Sequence, residues 1–345
     1  MKRSILALVS IPCLVLVSTG LEAARRTVLP DLIQPDAILA RNDKLYVLER
    51  TSIMIYSLND LRLLKTFGRE GEGPQEFMVQ PFGPPMTISF YRDRLVVNSN
   101  NKMSFFTLDG RFVSEHKAPP NAVFYRVEGG YLGIGSALGE DNNQYISYRL
   151  FDDDFQNPRL LYQSEIMLGR ISSILLPMNA LNYYPITKDR IFIVRGKLGF
   201  VIEAYDHGGR KLFDLRREPE QQLKVPESYR LETLNWFKRH PLFRDQYEQI
   251  KEVIRFKTHY PAIKTIAIDS DTLYVITNVS RNGSYEYITL SPDGKERGRG
   301  WVPLQEPEPY TYYPLLITVD RGEYHALLED EEEEVWRLHT QVLKR

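Results

Sequence analysis

Four connections in this 345-residue chain pair an aromatic ring with a proline: Gln80-Pro81-Phe82, Tyr183-Tyr184-Pro185, His259-Tyr260-Pro261 and Tyr312-Tyr313-Pro314. Proline fixes φ and stiffens the backbone at each point. The neighbouring tyrosine offers an apolar face and a hydroxyl, which is the chemistry of binding. Guanidinium and amide groups recur between these connections at Arg50, Arg69, Asn98, Asn100 and Arg195. Phe82, Tyr183, Tyr184, Tyr260, Tyr312 and Tyr313 join them as the candidate ligand-binding set. Taken singly, each aromatic also reads as packing between strands; taken together, they read as a ring around a mouth.

Bond-breaking chemistry finds less support. The histidines are His116, His207, His240, His259, His325 and His339, and no two stand at metal-ligand spacing. A Ser-His-Asp triad is recognised by geometry, so spacing assigns none. The sole cysteine, Cys13, sits in an N-terminal apolar run, which removes disulfides, thiol catalysis and thiolate ligands from the rest of the chain. No catalytic residue, metal ligand or cofactor is therefore expected. The acidic run Asp330 to Glu334 can attract a cation or a basic partner, but five like charges in a turn read first as a solvated tip. Asn278-Val279-Ser280 and Asn282-Gly283-Ser284 match the glycosylation acceptor pattern, a weak signal.

The elements that must position these groups repeat six times. Each repeat has a short apolar strand, a polar break, a second strand of the Leu-Tyr-Val type, a turn and a third alternating strand. The second strands are Lys44 to Leu48, Arg94 to Asn98, Tyr131 to Ile134, Arg190 to Val194, Thr272 to Thr277 and Tyr324 to Leu328. A period of roughly 40 residues with about four strands predicts a β-propeller, whose blades bury a core only against one another. Asp109-Gly110, Asp206-His207-Gly208-Gly209 and Pro292-Asp293-Gly294 predict tight hairpins between third and fourth strands. The last repeat lacks residues for a fourth strand, and Thr27 to Ile33 has no blade of its own. The N-terminal strand is therefore expected to complete blade six and hide its edge. The fold class is all-β: a six-bladed propeller of four-stranded blades, with an insertion over about 219–258 between blades four and five. In that insertion Phe243, Tyr247, Ile250 and Ile254 recur at helical spacing, and Tyr229, Leu231, Leu234 and Phe237 predict a shorter helix before His240-Pro241. It reads either as packing over the fifth blade or as a lid or partner-binding arm.

Turns alternate between the two ends of an up-and-down blade. The hairpins share one end. The turns between second and third strands, together with the blade-to-blade connections, share the other, and that loop end collects all the candidate binding residues.

The N-terminal 24 residues place Lys2 and Arg3 before an apolar run from Ile5 to Val17 and small residues ending in Ala23-Ala24. This is the layout of a signal peptide cleaved near Ala24. Glu22 and the following Arg25-Arg26 leave an uncleaved membrane anchor as the alternative. Domain limits are therefore 1–24 and 25–345. Those first 24 residues hold two basic groups and one acidic group of the chain's 44 and 45, leaving 42 and 44, a net charge of −2. No overall field steers such a chain toward nucleic acid or anionic lipid. The expected product is periplasmic or secreted and monomeric. Its expected partner is a protein or small-molecule ligand at the channel mouth, with a membrane involved only if the leader is retained.

One connection carries a resemblance. Gly68-Arg69-Glu70-Gly71-Glu72-Gly73-Pro74-Gln75-Glu76-Phe77, followed by Pro81, resembles the linker of NHL-type repeats. More closely it resembles the Gly-Arg-Glu-Gly-Glu-Gly-Pro-x-Glu-Phe element of bacterial six-bladed β-propeller proteins, which are often exported and mostly without assigned activity. The likeness extends loosely over all six blades, although the later ones lack the Gly-rich linker. The resemblance implies the propeller fold. The loop-end residues make the expected function non-catalytic binding, with the metal-dependent hydrolases and lyases of gluconolactonase-like and NHL-type propellers as the alternative. Within the linker, Gly71 and Gly73 allow a tight path and Phe77 is placed to plug a gap between blades.

Overall fold

A propeller's central strands bury both faces because each blade has a neighbour on either side. Leu45, Tyr46, Val47 and Leu48 are four consecutive residues with no exposed surface. Leu45 and Val47 pack with Leu327, Trp336 and Leu338 of the last blade. Tyr46 and Leu48 pack with Ile88, Leu95, Val97 and Phe106 of the second. A run of apolar residues that would be ambiguous in isolation is fixed as strand by these two opposed contacts.

The computed structural model describes residues 25–78, 85–140, 143–168, 173–177, 186–195, 199–218, 222–305 and 315–344. Six antiparallel blades follow one another along the chain. Blade one pairs Ala37–Arg41, Lys44–Glu49, Ser52–Ser57 and Leu63–Phe67, and blade two pairs Thr87–Tyr91, Arg94–Ser99, Lys102–Thr107 and Phe112–Lys117. Blade three contains Ala122–Val127, Gly130–Leu138, Gln144–Phe151 and Arg159–Leu168. In blade four Arg190–Val194, Phe200–Asp206 and Lys211–Arg217 form the described ladder, with a single inner bridge between Ile186 and Ile191. Blade five contains Thr265–Asp269, Thr272–Arg281, Ser284–Leu290 and Glu296–Pro303. Blade six contains Ile317–Asp320, Glu323–Asp330 and Val335–Val342, and its outer strand is Arg25–Leu29. In the five blades other than blade four the first strand is the inner one: 265–269 adjoins 317–320, which adjoins 37–41, which adjoins 87–91, which adjoins 122–127.

The expected closure is present, with Arg25 opposite Thr340 and Leu29 opposite Trp336. Side chains reinforce it, since Trp336 Nε1 donates to Ile33 O at 3.0 Å and Tyr56 OH to Pro30 O at 3.2 Å. The hairpin turn at Gly110 also forms as expected, with φ +70°. A Cβ there would stand 2.8 Å from the Phe67 ring of blade one, so this turn requires glycine for space as well as conformation.

The insertion differs from expectation in proportion and in anchorage. Helix α1, Glu227–Arg239, has 13 residues, while α2, Tyr247–Val253, has 7 and follows a short turn at Arg244–Gln246. The segment expected to be shorter is the longer helix. Ile254 turns extended, at φ −69° and ψ 130°, and starts a strand, Ile254–Phe256. That strand runs parallel to Ser173–Leu176, which pairs in turn with Met167 and Leu168 of blade three. The open edge of that sheet offers backbone partners that a further helical turn could not use. The insertion is thus clipped to the extended sheet of blade three, and its core joins Leu176, Phe237 and Ile254. Its two ends meet where Val225 N donates to Thr258 O and Tyr260 N to Leu223 O.

Blade six, the closing blade, carries both buried histidines found among the described residues, His325 and His339. His325 Nδ1 lies 3.2 Å from Thr340 Oγ1, and its Nε2 has no hydrogen-bond partner among the described residues. Burial, aided by the positive charge of Arg321, pushes its imidazole down to about 4 from an ordinary 6.5. Above pH 6.5 the ring is neutral in folded and unfolded chains alike. Between pH 6.5 and 4 the unfolded chain takes up a proton that the folded one does not, so stability falls as pH falls, by about 3 kcal/mol at the lower end. Urea unfolding of the wild type and of His325→Gln across this range should show the wild type losing that much more; parallel losses would refute the assignment.

Candidate functional site

The two ends of the propeller use their polar groups differently. At the hairpin end, turns of neighbouring blades hold one another. Lys44 of blade one pairs with Asp109 of blade two, and Tyr46 OH donates to Leu108 O at 2.9 Å. Arg126 stands 5.7 Å from the Tyr91 ring across the next junction. His207 Nδ1 accepts from Glu128 N at 3.1 Å, linking blades three and four. Arg217 Nη2 meets Glu296 Oε2 at 2.7 Å higher on the outer strands of blades four and five. Asp269 accepts from Gly322 N at 2.8 Å, and Arg321 of blade six reaches Asp43 of blade one at 2.5 Å. Asp320 beside them is raised above its ordinary value, by burial first and by the Asp269 charge, against the lowering effect of Arg321.

At the loop end the turns between second and third strands are tight. Arg50, Asn101 and Asn282 adopt φ of +53°, +61° and +50°, and all three are exposed. Arg50 N donates to Asp36 Oδ2 at 2.5 Å, which fixes the backbone and leaves the guanidinium outward. Burial raises the Asp36 carboxyl despite that bond, and the Glu49 charge adds to the rise. Glu49 Oε1 accepts from Ile33 N at 2.6 Å and Gln34 N at 2.5 Å, so two carboxylates cap the entry to the first inner strand.

The sequence-derived site residues divide by environment. Asn98 is buried; its side-chain oxygen accepts from Phe124 N at 3.0 Å and its amide donates to Lys102 O, tying blade two to blade three. Asn100, two residues on, is partly exposed at the turn. Arg195 Nη1 donates to Glu203 Oε2 at 2.8 Å, and its guanidinium lies 4.4 Å from the Tyr162 ring centroid. Tyr260 is half-buried, 5.7 Å edge-to-face from Tyr229 of α1. Phe82, Tyr183, Tyr184, Tyr312 and Tyr313 lie outside the described residues. Among those that are described, Arg50 and Asn100 share the loop end with Arg69, whereas Asn98, Arg195 and Tyr260 are engaged with neighbouring elements.

Arg69 belongs to a clip. Arg69–Glu70 runs parallel to Glu76–Phe77. The Glu76 carboxylate accepts from Gly73 N at 2.9 Å and Arg69 Nε at 2.8 Å, and these bonds hold it below the usual carboxylate range, with the Gly73 amide the larger cause. A Cβ on Gly71, at φ +150°, would stand 2.2 Å from Glu76 Oε2. Phe77 is fully buried between Ile53 of blade one and Val97 and Phe106 of blade two, as its place in the motif implies. The clip leaves the Arg69 side chain 79% exposed.

One functional-looking group went unread in the sequence: Glu203, whose only signal is a single carboxylate inside Phe200–Asp206. It is 4% exposed and accepts from Arg195, from Lys211 Nζ at 2.7 Å and from Tyr205 OH at 2.8 Å. Burial pushes its carboxyl up, but the bonds from Lys211, Arg195 and Tyr205 outweigh burial and hold it low. All three donors belong to blade four, so the carboxylate braces that blade internally and fixes Arg195, whose guanidinium in turn lies against the Tyr162 ring of blade three. Among the described residues no group of three or more His, Cys, Asp or Glu is placed to hold a metal ion.

No family model matches the chain, and neither does any curated protein. Solved structures do resemble it. BamB from Moraxella catarrhalis is 9% identical, with 88% of this chain and 71% of that one covered and a TM-score of 0.29. A protein of unknown function from Bacteroides caccae is 10% identical, with coverage of 78% and 81% and a TM-score of 0.40. An uncharacterized protein from Listeria monocytogenes EGD-e is 10% identical, with coverage of 86% and 75% and a TM-score of 0.35. At these scores the likenesses carry no argument about a ligand, and the propeller rests on the strand pairing itself.

The division of site residues predicts separable losses. Phe77→Ala should cost about 3–5 kcal/mol in urea unfolding, as for other fully buried aromatics, whereas Arg50→Ala should stay within about 0.5 kcal/mol of wild type. Equal costs would mean that the loop end is part of the packing.

Proposed function

We propose that the protein is an exported, non-catalytic propeller that binds a protein or small-molecule partner at its loop end. The observation that carries this reading is the contrast between the ends. Charged turns at one end are spent on neighbouring blades, while the tight turns at the other hold Arg50, Asn101 and Asn282 outward on a backbone fixed by bonds such as Arg50 N to Asp36. Rigid display of guanidinium and amide groups lowers the entropic cost of binding. Asn100 and Arg69 extend the same surface, and the Tyr-Pro connections at Tyr183, Tyr184, Tyr312 and Tyr313 are proposed to ring the mouth. Asn98, Arg195 and Tyr260 support this surface from behind. Residues 1–24 are proposed to direct export to the periplasm or beyond. No helix among the described residues is long and apolar enough to cross a membrane.

A photo-crosslinking amino acid placed in turn at Arg50, Asn100 and Asn282, and at Asp60 and Lys295 of the opposite end, tests the reading in the source cell. Discrete adducts only from the loop-end positions are expected, and adducts from neither end or equally from both would sink it. Metal analysis of the same purified protein bears on the alternative. About one tightly held ion per chain would turn the reading toward a metal-dependent hydrolase or lyase.

A further inference from the structure

The hairpin end has a second property that its internal pairing does not explain. Eleven large apolar side chains are exposed among the described residues, and most of them lie at this end, at the outer rim. Leu63, Leu64, Phe112, Val113, Leu160 and Leu212 open the outer strands of blades one to four, with exposures between 37% and 51%. Val342, at the hairpin end of blade six, continues the rim. A basic residue stands at the start of every outer strand or directly before it: Arg25, Arg62, Arg111, Arg159, Arg210 and Lys295, all exposed. Three of these six are paired with hairpin carboxylates, Arg62 with Asp60, Arg210 with Asp206 and Lys295 with Asp293, while Lys44 holds Asp109 and Arg126 holds Asp153; Arg25, Arg111 and Arg159 are the rim cations outside these pairs.

Alternating exposed apolar and basic side chains on one rim is the arrangement that enters a lipid headgroup layer. Apolar groups bury at the acyl boundary, while Lys and Arg reach the phosphates with their stems along the interface. The covalent path of the chain points to the same surface. Arg25 lies at the hairpin end, opposite Thr340, and only residues 18–24 separate it from the apolar run Ile5 to Val17. Those residues span at most about 30 Å when extended. A leader held in a bilayer, even before cleavage, therefore tethers the hairpin end within about 30 Å of the membrane, so that this rim is the nearer surface.

We infer that the hairpin-end rim is a lipid-facing surface for anionic bilayers, which turns the loop end outward toward its partner. The surface lies at the opposite end from the proposed binding face; the orientation of the loop end rests on the proposed function, whereas lipid contact by the rim can be tested without it. Because Cys13 is the only cysteine, a full-length Cys13→Ser chain accepts single labels. A polarity-sensitive fluorophore would be attached at Leu64→Cys or Val113→Cys on the rim, and at Arg50→Cys or Asn282→Cys at the loop end. Phosphatidylcholine vesicles with and without phosphatidylglycerol would then be added. The expected result is a several-fold rise and blue shift at the rim labels, larger with phosphatidylglycerol and reduced by salt, with no change at the loop-end labels. Loop-end labels responding as strongly as rim labels would overturn the inference, and so would silent rim labels. A blue shift at the rim that grows with protein concentration without vesicles would overturn it in favour of a second copy of the chain.

Discussion

Everything else in this molecule depends on one non-covalent seam. Arg25–Leu29 pairs with the strand that ends the chain, and without that pairing blade six would present an open edge and the ring would be free to spring apart. No cysteine among the described residues is available to reinforce it. The seam is held by five paired positions, by Trp336 donating to Ile33 O and by Tyr56 donating to Pro30 O. The apolar cluster beneath draws Leu29 and Leu32 from one terminus and Trp336 and Leu338 from the other. Closure thus couples the hydrophobic burial of blades one and six, and the buried His325 and His339 place a proton-sensitive cost in the same blade.

The rest of the ring solves the same problem at each junction with a different local device. Phe77 fills the gap between blades one and two, held by the Glu76 clip. Asn98 bonds the backbone of blade three, and Glu203 fixes Arg195 of its own blade against the Tyr162 ring of blade three. Such polar locks are favourable only when fully partnered, since a buried carboxylate left alone costs several kcal/mol. Their completeness is what allows polar side chains into the junctions of an otherwise apolar ring.

The fold was legible because its signal is periodic. Second strands of the Leu-Tyr-Val type recur because both their faces must be buried, and Asp-Gly turns recur because the hairpin backbone needs positive φ. The closing strand could be read from arithmetic, one strand missing at the end and one spare at the start. The insertion was legible only as helical spacing. Its anchorage to blade three depends on a parallel pairing between Ile254–Phe256 and Ser173–Leu176, segments with no shared period. The candidate site was half legible for a related reason. Residue type separates polar from apolar, but Asn98 and Asn100 differ only in strand register, one turned into a junction and the other out at a turn. Glu203 was missed because a single acidic residue in an apolar strand looks the same whether its partners are water or three donors.

The seam also sets an order on folding. Trp336 and Ile33, joined by one hydrogen bond, are 303 residues apart in the chain. Contacts of such separation form late, because the entropy of closing the loop must be overcome before they return any burial. Blades one to five can assemble in sequence, each on the last, while the N-terminal strand waits for the final strand to arrive. A chain led across a membrane by its first residues therefore cannot close its ring until its last residues have followed. The end of the closing strand that meets the leader, at Arg25, is also the end that carries the apolar and basic rim. In such a chain the rim is the part of the ring tethered closest to the leader, which is the geometry that the proposed lipid-facing surface uses.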